Sequence, residues 1–467
     1  MSVEILDQKS SLNHLEERRV SPLLLFSVMF ALFLAAMDST VVGTILPVIK
    51  AEFSNSSLYP WLMSGFILSS ILSASVSGLL ADRFGEKFVM VTGIAIFILG
   101  MAQALAASSM MLLVMSRLVQ GVGAGMITVM AYTIVGHLFS AESRGKMQGV
   151  LSLVWGLAAI IGPVFGAVFH EQFGWRYVFL GYIPLSAIAL VIVAVIYKRD
   201  GAGGGSSSLN IPVILAFTAG IGGVMLAIMW VGEKNYLRAL AAFGGGLTLL
   251  FGYVLLVKNR KDKELLPREV VLTCPLRCAA QLTFLASVVL YASVVVLPLF
   301  MAETVSASAG LAGAVIAASS LGWVVGAGVS GGMVHKRGYR ALSGFGALLL
   351  VVGTGIHAFI PLDADVWLRI VGQFFIGLGI GFCAAISLVF IQNRATSENM
   401  GRYTAAVQLF RNLGAAIGIN ALAALLLYMG TEGGDVRAYA LCFYTLFAIA
   451  VLSLFPALGL PEKEVKV

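Results

Sequence analysis

Fourteen apolar segments of membrane-spanning length, joined by short connections, follow one another between residues 22 and 459. Inside lipid every backbone N–H and C=O must find a partner within the protein, so such segments fold as helices; crossing a ~30 Å hydrocarbon layer takes about 20 apolar residues. The pattern predicts helices at about 22–50, 59–82, 88–107, 110–138, 146–170, 177–197, 211–231, 236–258, 275–301, 308–334, 341–360, 365–391, 401–428 and 437–459. With 59% hydrophobic and only 11% charged residues in 467, the chain has too little polar surface for a water-soluble domain; about a quarter charged is usual there. The expected class is an all-α polytopic membrane protein.

Loop charge sets the orientation. With a cytoplasmic N-terminus, 22 of the 30 basic residues fall in inner segments and five (Lys50, Arg176, Lys234, Arg238, Arg437) in outer loops. The remaining three, Arg117, Arg369 and Arg411, lie inside apolar segments. The positive-inside rule therefore predicts that both termini are cytoplasmic, in keeping with an even helix count. The net charge of +7 is spread over short loops without a dense patch, so no nucleic-acid partner is expected. The first apolar run is too long for a signal-peptide core, and no cleavage is expected.

Two linkers divide the chain. Residues 201–208 are Gly, Ala and Ser, a composition without a packing face, and 259–271 are strongly charged and expected on the inner membrane surface. The implied units are 1–200 with six helices, 201–272 with two extra helices, and 273–467 with six more. The two sixes resemble each other. Gly78, Asp82, Arg83, Gly85 and Lys87 shift by a constant 253 onto Gly331, His335, Lys336, Gly338 and Arg340. Pro47 and Pro298 punctuate the outer ends of the first and ninth segments, Gly121 and Gly125 correspond to Gly377 and Gly381, and Gly162 and Gly166 correspond more loosely to Gly414 and Gly418. Two homologous bundles with a site near the midplane between them are a transporter architecture.

One carboxylate, Asp38, stands in the middle of the apolar run 24–47. It would lie about 24 Å from the inner end of a helix that starts at Pro22. A charge at that depth is expensive and is expected to face a partner or a watery cavity, which marks it as functional. No other acidic residue sits so deep.

Gly78-Leu-Leu-Ala-Asp-Arg-Phe-Gly-Glu-Lys87 resembles the loop signature between helices two and three of the major facilitator superfamily. Locally, Gly78 lets helices approach, Gly85 permits a tight turn, and Asp82 can face the positive end of a neighbouring helix. Arg117-Leu-Val-Gln-Gly-Val-Gly-Ala-Gly125 resembles the fourth-helix motif of the same superfamily, whose arginine is thought to assist proton movement. Gly156 with Gly162-Pro-Val-Phe-Gly166 resembles the antiporter motif of the fifth helix, where Pro163 removes a backbone donor and the glycines are expected to pack against the other bundle. Asp38-Ser-Thr-Val-Val followed by Pro47, together with Trp175-Arg176 and the extra helix pair, resembles the fourteen-helix drug:proton antiporters. The chain departs from the pattern at His335 and Ala415, where the second copy lacks the aspartate and the proline. The resemblance implies a major facilitator fold with two pseudo-symmetric six-helix bundles plus two linker helices. It also implies proton-coupled efflux of drugs or other lipophilic toxic compounds.

On that reading Asp38 and Arg117 form the proton-coupling pair, since a long arginine can bridge their difference in depth. Desolvation favours the neutral acid and the guanidinium favours the carboxylate, so a change of shape can trade one against the other. Gly78, Asp82, Arg83, Gly85 and Lys87 form a gating loop. Tyr132, Trp155, Tyr291, Trp323, Gln408 and Arg411 sit on helices that face the central cavity, where aromatic walls suit flat lipophilic ligands. Arg411 would repel a cationic drug unless it is paired or turned away.

Export of a home-made metabolite, such as a siderophore or an antibiotic, is an alternative of the same class. A membrane enzyme would need an embedded nucleophile or metal cluster. The histidines His137, His170, His335 and His357 are scattered, and the four cysteines (Cys274, Cys278, Cys383, Cys442) lack metal or disulfide spacing. A receptor would not need Asp38 and Arg117 inside apolar helices. No Walker loop is present, so the proton gradient is the expected energy source and no cofactor or metal is expected. The expected partners are a small-molecule substrate, protons and the lipid bilayer. The expected state is a monomer in the plasma membrane, in a bacterium the cytoplasmic membrane.

Overall fold

The computed structural model describes residues 21–53, 58, 61–197, 210–232, 234–258, 264–304, 309–361, 365–429 and 436–462. Both tails, the 201–208 linker and the start of the charged linker lie outside the described residues. Among the described residues, fourteen helices are long and apolar enough to cross a membrane, and no strand occurs. The first six are α1 (Pro22–Glu52), α2 (Trp61–Phe84), α3 (Glu86–Leu105), α4 (Met110–Leu138), α5 (Ala141–Phe173) and α6 (Trp175–Ile196). The extra pair is α7 (Ile211–Gly232) and α8 (Tyr236–Val257). The last six are α9 (Leu276–Thr304), α10 (Ala309–Arg337), α11 (Tyr339–Phe359), α12 (Val366–Arg394), α13 (Met400–Tyr428) and α14 (Val436–Leu458).

Several boundaries run past their expected ends. α5 begins at Ala141 rather than near 146, and α12 continues to Arg394. These ends carry charge, and they pack on the opposite bundle, with Gly145 of α5 against Gly331 and Gln392 of α12 against Tyr132. α1 runs on through 47 to Glu52, and Pro298 lies inside α9, so neither proline ends its helix. α2 and α3 are joined by Gly85 alone, at φ 88°, and α10 and α11 by Gly338 at φ 80°. Both values lie in the left-handed region that glycine enters without steric penalty.

The two sixes pack alike. In the first, α4 lies against α2 and α3, while α1 lies against α5 and α6; in the second, α12 lies against α10 and α11, while α9 lies against α13 and α14. The bundles meet along two seams, α5 with α10 and α2 with α13. α7 and α8 pair through Gly220, Gly223 and Gly246, and α7 leans on α2 and α13. A groove of about 850 Å³, lined by Leu72, Leu215, Trp230 and Arg238 among others, runs between α2 and this pair.

The described part of the charged linker contains a five-residue helix, Arg268–Leu272. It is docked on the start of α13, where Tyr403 Oη donates to Glu269 Oε2 at 2.8 Å.

Candidate functional site

Asp38 and Arg117 meet inside the first bundle, both fully buried, with Arg117 Nη1 2.6 Å from Asp38 Oδ2. Three further contacts hold the guanidinium. Nε donates to Leu62 O at 3.2 Å, Nη1 also contacts Gln120 Oε1, and the group lies 4.3 Å from the centre of the Phe66 ring. Asp38 Oδ1 and Arg117 Nη2 are buried without a partner, as is the hydroxyl of Tyr182 in α6. Tyr182 lies within electrostatic reach of both charges. Sequence reasoning passed over Tyr182 and Gln120. Gln120 stood inside the quoted motif, whereas Tyr182 had no signal beyond being a polar tip in an apolar run.

The second bundle joins the corresponding helices, α9 and α12, without charge. Gln373, which stands where Arg117 has its counterpart, donates from Nε2 to Ser293 Oγ of α9 at 3.0 Å, while the position matching Asp38 by the Pro47–Pro298 correspondence is Val289. The nearby Arg369 turns elsewhere. It donates to His357 O and Pro361 O and stacks on Phe300 and Phe443. His357 is buried against Phe443, as a packing residue would be.

Asp38 is linked to the seam between the bundles through α5. Thr40 Oγ1 donates to Met37 O and reaches Ala158 O in α5 at 3.3 Å. A Cβ on Gly162 would overlap Thr40, and one on Gly166 would overlap Thr44. This corrects the expectation that both glycines face the other bundle. They pack α5 against α1, because spacing alone does not reveal which neighbour a small-residue face meets. Gly156 does face the other bundle, with Val324 of α10 against it, and so do Gly145 and Gly149, against Gly331 and Gly328. Pro163 lies inside α5, one residue after Gly162.

The seal at the basic-loop end, the inner face on the loop-charge reading, is built from the signature residues. Asp82 is buried at the end of α2, with Oδ1 accepting from the Gly401 N–H at 3.0 Å and Oδ2 from Arg402 Nε at 2.8 Å. The carboxylate thus faces the positive N-terminal end of α13. Its cationic partner comes from the opposite bundle. Arg83 stacks near Phe84, and Lys87 is half-buried in the first turn of α3. Gly78 lies so close to Gly401 that a Cβ would overlap the carbonyl, and Gly331 meets Gly145 in the same way on the other seam. Arg144 donates to Asn393 Oδ1 at 2.8 Å, and Gln148 Nε2 to Gln392 Oε1 at 3.1 Å. These bonds between the bundles all belong to this inner half. His335, standing where Asp82 has its counterpart, is exposed.

Above the seal the cavity residues gather. Arg411 of α13 lies 5.7 Å from the ring centres of both Tyr132 and Trp155. Tyr291 and Trp323 meet edge to face with centroids 6.4 Å apart, and Tyr291 lies within the field of Arg411. Gln408 is buried one turn before Arg411. The backbone carbonyl of Tyr132 accepts from Gln392 Nε2, which ties this stretch of α4 to the seal.

At the opposite end, Glu52 takes the Trp175 indole N–H and pairs with Arg176 at 2.7 Å. The Trp175 bond, with Arg176 beside it, holds Glu52 below the usual carboxylate range. Glu303 accepts from Tyr439 Oη at 2.6 Å in the matching place of the second bundle. Among the described residues, no group of three or more His, Cys, Asp or Glu side chains could hold a metal ion.

The profile described as Major Facilitator Superfamily matches residues 28–266 and 279–466. The chain is 27% identical over 407 residues to the multidrug transporter protein MdtP of Bacillus subtilis, covering 86% of this chain and 75% of that one. It is 28% identical over 424 residues to the efflux pump dotC of Dothistroma septosporum, covering 85% and 70%. The solved structure of the human organic anion transporter MFSD10 superposes with a TM-score of 0.71 at 16% identity, covering 95% of this chain and 99% of that one. At that identity the likeness speaks to the fold alone.

Proposed function

The chain belongs to the major facilitator superfamily, and we propose that it is a proton-driven efflux transporter that exports lipophilic small molecules by alternating access. Similarity to efflux pumps over most of the chain supports export. The observation that carries proton coupling is the buried Asp38–Arg117 pair, one of whose carboxylate oxygens is unpartnered, while in the second bundle the neutral Gln373 stands in place of Arg117.

The pair can change charge without stranding its cation. Removing one member of a buried ion pair usually costs about 3–5 kcal/mol, because the other is left uncompensated. Here protonated Asp38 releases a guanidinium that keeps Gln120, Leu62 O and the Phe66 ring. The proton arrives at Oδ1, the oxygen that Arg117 does not occupy. Neutral Asp38 no longer holds α1 to α4 at this level. The contact of Thr40 with Ala158 and Gly162 passes the shift to α5, whose opposite side carries Gly145, Gly149 and Gly156 against α10. Protonation is thereby tied to the seam that closes the inner face. Substrate released outward and a proton carried inward complete the cycle.

The proposed setting is the plasma membrane with both termini cytoplasmic. A cysteine placed in 201–208 should resist labelling from outside intact cells, and efficient labelling would reverse that orientation. The functional test is transport of a lipophilic fluorescent dye into everted vesicles. Accumulation is expected with an acidic lumen and should stop when a protonophore is added. Undiminished accumulation without a gradient would contradict proton drive.

A further inference from the structure

Three arginines sit deep in the spanning helices, and two of them are provided for. Arg117 has Asp38, and Arg369 has two backbone carbonyls and two aromatic faces. Arg411 differs. Its side chain is 7% exposed, yet it makes no ion pair and no hydrogen bond among the described residues, and its Nε is buried with no partner. Its contacts are the rings of Tyr132 and Trp155, whose faces attract the cation but take none of its edge N–H groups. Two more polar atoms nearby are buried and unsatisfied, Trp155 Nε1 and Gln408 Oε1. An unpaired cation is expensive in a low-dielectric interior, and buried polar groups are ordinarily bonded. What this cluster lacks is an anion. Arg411 of the second bundle and Trp155 of the first stand side by side, 5.7 Å from guanidinium to ring centre, each with a buried unpartnered N–H, and Tyr132 with the edge-to-face pair Tyr291 and Trp323 supplies aromatic surface around them.

We propose that Arg411 and Trp155 Nε1 bind the carboxylate of a flat lipophilic anion, whose body lies among Tyr132, Tyr291 and Trp323, and that such anions are the exported class. This rests on the efflux reading and narrows it. A lipophilic cation in the same place would face the guanidinium with no acid to offset it. Exporting a monoanion against an entering proton moves positive charge inward in both halves of the exchange. The membrane potential therefore assists export along with the pH difference.

The test uses one skeleton with three heads: pyrenebutyrate, its carboxamide, and the matching trimethylammonium. Binding to purified full-length protein in lipid nanodiscs is read by energy transfer from tryptophan to pyrene, with no proton gradient. The wild type should bind pyrenebutyrate roughly ten- to hundred-fold more tightly than the carboxamide, the range of a charge-assisted hydrogen bond, and bind the ammonium most weakly. Arg411→Gln should remove the preference for the carboxylate and leave carboxamide binding unchanged, while Arg411→Lys should keep part of it. Equal binding of the three heads by the wild type, or preference for the ammonium, overturns the proposal whether or not any variant folds. So does an Arg411→Gln loss as large for the carboxamide as for the carboxylate. Binding measured without a gradient does not depend on proton drive. Gradient-driven export of the ammonium probe, with no selective carboxylate binding, would sink the anion proposal and leave efflux standing.

Discussion

The backbone N–H of Gly401 donates a 3.0 Å hydrogen bond to Asp82 Oδ1, joining the end of α2 in one bundle to the start of α13 in the other. The second oxygen takes Arg402 Nε, so one buried carboxylate closes this seam. A charge-assisted bond of this kind contributes about 1.5–3 kcal/mol. Asp82→Asn keeps an acceptor for Gly401 but loses the charge facing Arg402. It should shift the protein toward an inner-open state and cut transport roughly ten-fold or more, with expression unchanged. Distances between spin labels on the inner ends of α2 and α13 should lengthen. Unchanged distances with normal transport would show that Asp82 is not a latch.

The other seam is closed by shape. A Cβ on Gly331 would overlap the carbonyl of Gly145, and the backbone has no slack to yield there. Gly331→Val should insert into the membrane normally yet fail to close on the inner side, leaving transport near background. The check is inner-face accessibility of a cysteine at Gln392, which should rise. A fully active Gly331→Val would mean that this crossing is not part of the cycle.

The neutral pair in the second bundle should take no part in proton coupling. Ser293→Ala removes the acceptor of Gln373 Nε2 and costs about 1 kcal/mol of stability. The number of protons released per substrate bound, measured by a pH dye in weak buffer, should stay at its wild-type value. A lower number would move a share of the coupling into the second bundle.

Much of this was readable in the chain before any coordinates. Asp38 and Arg117 stood out because a charge in an apolar run has few explanations, and Gly85 because a turn between two long apolar segments needs a residue free to adopt positive φ. The Ser293–Gln373 pair was hidden, since neutral polar residues in membrane helices look alike whether they bond across helices or to their own backbone. Gly162 and Gly166 were legible as packing surfaces, but the face they meet depends on helix rotation, which a four-residue spacing does not encode. Arg402 gave no sign of partnering Asp82, because the two are 320 positions apart in the chain.

The outer contact of Glu52 should be insensitive to pH over the working range. Its carboxyl is held below the usual range by the Trp175 N–H, with Arg176 beside it. A depressed carboxyl contributes its stability above the unfolded value, and that contribution is lost only as pH falls through the folded value. Glu52→Gln should therefore leave the shape of the efflux–pH profile between about pH 5 and 8 unchanged. A displaced profile would give this outer carboxylate a share in coupling.

The central claim is that Asp38 carries the proton, and the most direct measurement is substrate-evoked proton release from purified Asp38→Asn beside wild type. Asparagine mimics the protonated acid permanently, so the variant should fold, insert and bind substrate while releasing no proton. Asp38→Glu, which keeps a titratable group displaced by one methylene, should retain part of the signal. Proton release at the wild-type level from Asp38→Asn would contradict the account and place the coupling carboxylate elsewhere, with Glu303, bound to Tyr439 at the end of α9, the next to test.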